Sequence, residues 1–362
     1  MVKITSLILT FVILSLLIIR EVLFEGAALP PTQLPKAPII DMHVHIAGLG
    51  YGESGCFISE EMKKSYKFDY YLAAFGVKRK ELKSEGDQLL VQRLAKTIEA
   101  SDKVQGAIVL AMDGVINSHG KLDKSKTQVY IPNDYVAKQT LKHPSLYFGA
   151  SINPYRHNSL ALLEKVKHQG AKLIKWIPNI QHIDPADKKL IPFYKKMKEL
   201  GLPLLSHTGQ ERSFHSAIDE YADPKRLELP LSLGVTVIAA HIATTGKTEN
   251  KSNFQRILPM FSRYPNLYAD ISSLTQINKP GYLVNALKDS RLKGRLLYGS
   301  DFPLVNMALV SPYYFPLNLT LKQMFEISNI ENPWDRDIIL KQTLGVPTEV
   351  FSSSATILKI GL

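Results

Sequence analysis

Short apolar segments alternate with longer amphipathic segments along most of the 362-residue chain. The apolar segments are rich in Ile, Val and Leu, which is typical of strands buried on both faces of a parallel sheet. The amphipathic segments predict helices, such as 159–169, which opens with a serine suited to the N-cap, and 191–201, which ends on a glycine. The eight apolar segments are 37–46, 104–112, 146–154, 170–178, 202–209, 235–243, 266–272 and 295–303.

Eight strands that alternate with helices predict an α/β fold with parallel pairing, because each helical crossover returns the chain to the same edge of the sheet. Eight is also the number that closes a (β/α)8 TIM barrel, which we predict as one domain over residues 38–350. A doubly wound open sheet is the alternative, although the chain lacks its glycine-rich first turn. The long segment 48–101 is rich in Tyr and Lys, and we expect it to form inserted helices over the barrel mouth.

An apolar run without charges occupies residues 4–19, between Lys3 and Arg20. We predict a transmembrane or signal segment over residues 1–25, and a retained anchor in preference to cleavage near 26–28. Lys3 favours a cytoplasmic N-terminus, so the catalytic domain is expected outside the cytoplasm, membrane-anchored or exported. The prolines of residues 26–37 predict an extended linker.

The composition is that of an ordinary globular protein, with 45% hydrophobic and 21% charged residues. Cys56 is the single cysteine, which excludes an intramolecular disulfide and a cysteine-based zinc cage. The net charge of +11 arises from short basic bursts mixed with acids, which indicates a solvated basic face, and no nucleic-acid partner is expected. Attraction to an anionic bilayer is the alternative, and the sequence does not indicate an oligomeric state.

Histidine, lysine and aspartate interrupt the predicted strands at their carboxyl ends. Side chains alternate along a strand, so His43 and His45 should share one face, together with Asp41. Active sites of TIM barrels lie at the carboxyl ends of the strands, so these residues should meet at one mouth. Four imidazoles and a carboxylate suit zinc, iron or manganese. The interrupting residues are His43 and His45 on strand one, Lys175 on strand four, His207 on strand five, His241 on strand six and Asp301 on strand eight.

Four motifs that contain these residues, DMHVHI, LLSHTG, AAHIA and YGSDFP, resemble the metal-binding signatures of the amidohydrolase superfamily. The resemblance is to its amidohydrolase-related (amidohydrolase 2) branch and extends from residue 38 to about residue 350. It implies a (β/α)8 barrel with one or two divalent metals, most often zinc, and a small-molecule substrate. By this resemblance the ligands are His43, His45, His207, His241 and Asp301, and Asp301 is also the catalytic proton shuttle.

Lys175 has two roles compatible with the resemblance. In binuclear members, a lysine on strand four is carboxylated by carbon dioxide and bridges the two metals, which would make Lys175 a metal ligand. Alternatively, Lys175 stays a cation that pairs with a carboxylate of the substrate.

The implied function is that of a metal-dependent hydrolase, whose metal-activated hydroxide attacks a small-molecule ester, lactone or amide. A metal-dependent non-oxidative decarboxylase or hydratase of the same superfamily is the alternative. A third hypothesis is a membrane-tethered barrel that binds a ligand or a protein partner without catalysis. Five further residues near the predicted strand ends are candidates for substrate binding: Tyr155, Arg156, Trp176, Glu211 and Arg212.

Overall fold

Eight parallel strands form the centre of the fold in the computed structural model, which describes residues 2–23, 29 and 31–361. Each strand lies within one of the eight apolar segments, so the prediction of the strands is confirmed. The strands are β1 (Ile40–His45), β2 (Gly106–Leu110), β3 (Leu146–Gly149), β4 (Ile174–Trp176), β5 (Leu204–His207), β6 (Val237–Ala240), β7 (Leu267–Asp270) and β8 (Leu296–Leu297).

The strands pair in chain order, in one group from β1 to β3 and a second from β4 to β8. A parallel bridge between Ala150 and Ile174 connects the two groups on one side. On the other side, the amide of His45 donates to the carbonyl of Phe302 at 2.9 Å, and the amide of Asp301 donates to the carbonyl of His43 at 3.0 Å. The fold is therefore TIM-barrel-like.

Helices follow the strands and cover the outside of this arrangement. The predicted helix at 159–169 forms, but its N-cap is Asn158 and no side chain caps it, so the expected serine cap is wrong. The glycine stop at 201 is confirmed, since Gly201 has a φ of +60° directly after the last helical turn. The helices are α1 (Val2–Leu23), α2 (Glu60–Lys64), α3 (Lys67–Ala74), α4 (Arg79–Glu85), α5 (Gln88–Glu99), α6 (Asn133–Thr140), α7 (Ser159–His168), α8 (Pro178–Gln181), α9 (Ile191–Glu199), α10 (Glu228–Ser232), α11 (Asn253–Arg263), α12 (Tyr282–Lys288), α13 (Leu321–Ser328), α14 (Pro333–Thr343) and α15 (Thr348–Ile357).

Strand β1 does not keep the simple alternation expected of it. Its pairing with β2 shifts register between Asp41 and Val44, so Asp41 does not share a face with His43. The Asp41 carboxylate instead accepts a hydrogen bond from the Trp334 indole of α14 at 2.7 Å. The prediction that Asp41 points the same way as the two histidines is wrong, because the irregularity turns the later part of the strand.

The segment that follows β1 is an insertion of four helices, α2 to α5, as predicted for residues 48–101. Apolar residues of this insertion form a core cluster of their own, which includes Phe68, Leu72 and Leu82. A short antiparallel pairing of Phe57–Ile58 with Val129–Tyr130 attaches the insertion to the loop after β2. The insertion thereby lies over the carboxyl ends of the strands.

The N-terminal apolar run forms helix α1, and most of its described apolar side chains are exposed, Leu7 and Phe11 among them. Within the described residues, no helix has both the length and the apolarity needed to cross a membrane, so the predicted transmembrane segment over residues 1–25 is not supported. The suggested cleavage site at 26–28 lies outside the described residues. Residues 31–39 have no helix or strand, and the expected location outside the cytoplasm stays a prediction.

Candidate metal centre

The structure brings the six residues of the predicted metal site together at one cavity. They lie at or just beyond the carboxyl ends of their strands, where the strands meet the loops of the mouth. All are less than one fifth exposed. The six residues are His43, His45, Lys175, His207, His241 and Asp301.

The two histidines of β1 lie close to the side chains of Lys175 and Asp301. The Nε2 atoms of His43 and His45 lie 3.1 Å apart, and the Nζ atom of Lys175 lies 2.9 Å from Nε2 of His43. The Oδ1 atom of Asp301 is 3.5 Å from Nε2 of His43 and 3.4 Å from Nε2 of His45. Two imidazole nitrogens, an amine and a carboxylate oxygen therefore converge at one point of the cavity.

His241 completes a group of three buried donors with His43 and Asp301. Its Nε2 atom is 3.8 Å from Oδ2 of Asp301, and one ligand atom from each of the three residues lies within 4.8 Å of the others. His241 and Asp301 both have left-handed backbones, with φ of +59° and +63°. Such conformations are unfavourable for residues with a Cβ and cluster at functional sites.

His207 has an imidazole nitrogen without a hydrogen bond. Its buried Nε2 atom finds no partner among the described residues, and the nearest carboxylate oxygen, Oε2 of Glu211, is 3.7 Å away. A buried polar atom without a partner costs free energy. The arrangement therefore fits an imidazole nitrogen whose lone pair is available to coordinate a cation.

Two residues of β7 and its loop orient the imidazoles, and neither was selected from the sequence. Asp270 accepts a hydrogen bond from Nδ1 of His43 at 2.8 Å, which leaves Nε2 free as an acceptor. The Ser272 hydroxyl lies 2.8 Å from Nδ1 of His241 and donates to Asp270 at 2.5 Å. Asp270 ends a predicted strand, as Asp301 does, so the rule that selected Asp301 would also have selected it.

Burial sets the protonation of the centre. It lowers the pKa of His43 to about 4 and the pKa of Lys175 to about 8, because the charged forms lose their solvation. Burial likewise lowers the pKa of His241. Burial alone would raise the pKa of Asp301, but His241 and His43 keep it well below its usual value. At neutral pH the imidazoles of His43 and His241 are thus neutral and Asp301 is ionised, the states required for metal binding.

Asp41, which could have oriented His43, has a structural role. Its carboxylate accepts hydrogen bonds from the backbone amides of His43 and Ser300, from the Ser300 hydroxyl and from the Trp334 indole. These four donors connect β1, the segment after β8 and α14. Asp41 therefore fixes the backbone beneath the metal centre without contacting an imidazole ring.

Of the five residues predicted to bind substrate, Glu211 lines the cavity with the six residues of the metal site. Arg156 instead forms a two-bond ion pair with Asp113, at 2.7 and 2.6 Å. The indole of Trp176 is fully buried and donates to the carbonyl of Ile152 at 2.7 Å. The other two also bond to residues that do not line the cavity. The Tyr155 hydroxyl donates to Asp187, and the Arg212 guanidinium donates to Gln210.

The remaining wall of the cavity is mainly apolar. The insertion contributes the largest continuous part of it, with Phe68, Leu72 and Phe75 on or beside α3, and Phe214 adds to it from the loop after β5. The cavity volume is about 150 Å3, a size that accommodates benzene in a protein interior. A polar floor and an apolar wall together suit a small molecule with a reactive polar group and an apolar body.

The donors at the floor fit a divalent cation. Imidazole and carboxylate ligands suit zinc, iron and manganese, and Asp270 supplies the outer hydrogen bond that ligand histidines require. The unpartnered Nε2 atom of His207 and the close approach of His43 to His45 are both explained by a cation between these atoms.

The chain belongs to the amidohydrolase family, since the profile of that family (Amidohydro_2) matches residues 40–319. It is therefore an enzyme of the amidohydrolase superfamily, as the four sequence motifs predicted. Enzymes of this family depend on divalent metals, and the buried group of His43, His241 and Asp301 fits such a site. No curated protein matches the chain.

Two solved structures resemble the chain at low sequence identity. An uncharacterised TIM-barrel protein from Bordetella bronchiseptica is 18% identical with a TM-score of 0.51, over 85% of this chain and 100% of the other. A 5-carboxyvanillate decarboxylase from Sphingomonas paucimobilis is 10% identical with a TM-score of 0.51, over 90% of this chain and 100% of the other. Both likenesses support the TIM-barrel-like fold.

Proposed function

We propose that the chain is a metal-dependent hydrolase that acts on a small-molecule ester, lactone or amide. The observation that supports this most is the convergence of four imidazoles, one ionised carboxylate and one lysine at the floor of a mainly apolar cavity. Hydrolysis requires a cation site, a base and an enclosed space for the substrate, and the described residues offer all three.

The metal ligands in this proposal are His43, His45, His207, His241 and Asp301, with zinc as the expected metal. A divalent cation at such ligands acts as a Lewis acid, which lowers the pKa of water and polarises a carbonyl oxygen. Asp270 holds His43 in the tautomer that presents Nε2, and Ser272 holds the ring of His241. The apolar wall limits the access of bulk water.

Asp301 is the proton carrier. Its Oδ1 and Oδ2 atoms face the imidazoles of His43, His45 and His241, and its depressed pKa keeps it ionised at neutral pH. As an ionised carboxylate it accepts the proton of the attacking water and then delivers that proton to the leaving group. The hydroxyl of Ser273 donates to Oδ2 and holds the carboxylate in place.

The two roles of Lys175 make different predictions about metal content. The depressed pKa of the buried amine favours the neutral form that reacts with carbon dioxide. A bridging carboxylated lysine requires two metal equivalents per chain. One equivalent, retained by Lys175→Ala, would instead support the role of a cation for the substrate.

Non-oxidative decarboxylation of an aromatic or unsaturated acid is the second candidate. The apolar wall favours it, because Phe68, Phe75 and Phe214 suit a flat apolar body. The structural neighbour named as a 5-carboxyvanillate decarboxylase also makes this reaction worth testing. The two reactions differ in their products, since decarboxylation releases carbon dioxide and hydrolysis releases an acid with an alcohol or amine.

The test is turnover by protein loaded with zinc or manganese on a panel of esters, lactones and amides, and on aromatic acids with detection of carbon dioxide. We expect turnover by the wild-type protein, loss of at least a hundredfold in His207→Ala, and no change in His168→Ala, which removes an exposed histidine of α7. Equal rates in wild type and His207→Ala would contradict the proposed site. Carbon dioxide without hydrolysis would select the second candidate.

A further inference from the structure

Glu211, in the loop after β5, lines the cavity beside His207. The side chains of both residues are 9% exposed. The Oε2 atom of Glu211 is 3.7 Å from the Nε2 atom of His207, which is too far for a hydrogen bond. This imidazole nitrogen is buried and has no partner among the described residues. A carboxylate oxygen and a ring nitrogen therefore lie close together without bonding to each other.

The separation of these two atoms suits a shared cation. A zinc ion lies about 2.0–2.1 Å from an imidazole nitrogen and about 2.0–2.2 Å from a carboxylate oxygen, so two ligand atoms of one ion can be up to about 4 Å apart. The 3.7 Å between His207 and Glu211 is within this limit. It nearly equals the 3.8 Å between Nε2 of His241 and Oδ2 of Asp301, two residues already assigned to the metal.

The carboxylate of Glu211 is held in place by its own loop. Its Oε1 atom accepts a hydrogen bond from the backbone amide of Ser213 at 2.7 Å. The amide of Glu211 donates to Oδ1 of Asp219 at 3.0 Å, and the same oxygen accepts a hydrogen bond from the Asn179 side chain of α8 at 2.9 Å. One carboxylate oxygen is thus fixed by the backbone, and the other lies toward His207, as in a preformed ligand.

The position of Glu211 differs from that of a residue that only orients a ligand histidine. Such a residue bonds to the ring nitrogen that does not coordinate the metal, as Asp270 does at Nδ1 of His43. Glu211 instead lies beside Nε2 of His207, the nitrogen whose lone pair is available for a cation. An oxygen at that position either blocks the nitrogen with a hydrogen bond or coordinates the same ion. The distance of 3.7 Å favours coordination.

We propose that Glu211 is a further metal ligand, which coordinates the same cation as His207. The resemblance of the four sequence motifs implied no such role, and the sequence suggested contact with the substrate instead. This inference rests on the metal centre of the proposed function, but it does not depend on which reaction the centre catalyses. It gives the site a second carboxylate ligand besides Asp301.

The test is the zinc affinity of the full-length protein, measured by competition with a chelator of known affinity. We expect Glu211→Gln to weaken zinc binding at least tenfold, because the loss of an outer hydrogen bond already costs about 10–100-fold. In a His207→Ala background the same substitution should cost much less, since the two side chains would share one ion. The matched control is Glu220→Gln, which removes a carboxylate that is 72% exposed in the same connection between β5 and β6 and should bind zinc as the wild type does.

The absorption spectrum of the cobalt(II)-loaded protein provides a second measurement, because its visible bands depend on the atoms that coordinate the ion. We expect these bands to change in Glu211→Gln and to stay unchanged in Glu220→Gln. Identical cobalt spectra in wild type and Glu211→Gln would overturn the proposal, and so would equal zinc affinities. Circular dichroism of each metal-free variant verifies that it is folded.

Neither measurement needs turnover, so the outcome for Glu211 is separate from the outcome for the reaction. A protein that binds zinc through Glu211 and hydrolyses nothing would support this inference while contradicting the proposed hydrolase activity. A wild-type protein that binds no metal would contradict both. Hydrolysis with zinc binding that is independent of Glu211 would overturn this inference alone.

Discussion

Two largely buried lysines in this chain have different surroundings. Lys341 of α14 bonds to Asp337 at 2.7 Å and to the carbonyl of Gly299 at 3.0 Å, and its Nζ atom lies 5.0 Å from the ring centroid of Tyr298. Lys279, in the loop after β7, is 5% exposed, and its Nζ atom makes no hydrogen bond or ion pair with the described residues. The difference teaches that burial alone does not identify a functional charge. The number of partners does, because a structural charge is satisfied within the fold.

The same contrast separates polar groups around β1. Asp41 accepts four hydrogen bonds from backbone and side-chain donors. His207 has a buried Nε2 atom that accepts none from the described residues. The carboxylate of Asp41 is therefore satisfied within the fold, whereas the imidazole of His207, at the carboxyl end of β5, has an atom left for a ligand.

Loss of the Lys341 cation should give the largest effect. Lys341→Met leaves the buried carboxylate of Asp337 without its counterion, which costs about 3–5 kcal/mol of unfolding free energy. Lys279→Met should leave the unfolding free energy unchanged or raise it, because it removes an unpaired buried charge. Urea denaturation of both variants measures the difference. Equal losses would show that Lys279 has a structural partner and would remove the contrast.

The second effect is a pH dependence specific to Lys279. Burial lowers its pKa from 10.5 to about 8, although Asp301, Asp270 and Glu211 act in the opposite direction. Below pH 8 both folded and unfolded chains are protonated, and the folded chain carries the full cost of burial. As the pH rises from 8 to 10.5 the folded chain loses its proton first, so wild type gains about 3 kcal/mol relative to Lys279→Met.

Urea titrations of wild type and Lys279→Met at several pH values between 7 and about 10.5 measure this gain. A constant difference between the two proteins across that range would mean that the ammonium of Lys279 is not destabilised by burial.

A third, smaller effect concerns the hydrogen bond between Asp270 and His43. Asp270→Asn removes the charged acceptor that orients the imidazole, and we expect the metal affinity to fall about 10–100-fold. Competition with a chelator of known affinity measures this change. The matched control is Asp289→Asn, which breaks a surface pair with Arg291 and should leave the metal affinity unchanged. Similar losses in both variants would argue against a specific role for Asp270.

The smallest effect compares two buried indoles. Trp334 donates to the carboxylate of Asp41, whereas Trp176 donates to the neutral carbonyl of Ile152, both at 2.7 Å. Hydrogen bonds to charged groups are the stronger ones, so Trp334→Phe should cost about 1 kcal/mol more than Trp176→Phe. Thermal unfolding at pH 8 measures both, since burial raises the pKa of Asp41 to about 6 and the carboxylate is ionised there. A reversed order would mean that Asp41 is satisfied without Trp334.

The sequence was sufficient to predict the eight strands and the residues that meet at the cavity, because strand ends in a parallel α/β fold lie on one side. His43, His207 and Asp301 follow from that rule. Asp270 obeys the same rule, because it is the last residue of β7. The orientation of Asp41 could not be predicted, since the register shift in β1 depends on pairing with β2.

The pattern of apolar and polar residues could not predict which residues meet through long-range contacts. Arg156 pairs with Asp113 across 43 positions of the chain, so its proximity to a strand end did not place it in the cavity. Lys279 lies in an irregular loop. The position of this loop is fixed by two hydrogen bonds, from the Ser273 hydroxyl to Asp301 and from the Ile277 amide to the carbonyl of Leu309. No periodicity marks such a loop, and its position becomes evident only in the folded chain.

The insertion between β1 and β2 has a consequence for how this enzyme can change over evolutionary time. The metal centre is assembled from strands spread across the whole domain, whereas the largest continuous part of the apolar wall comes from the stretch of chain around α3. A single exchange or shuffling event within that stretch would alter which apolar groups fit the cavity. The reactive end would stay intact. The substrate can therefore change through one part of the gene while the residues that carry the chemistry, encoded elsewhere, stay the same.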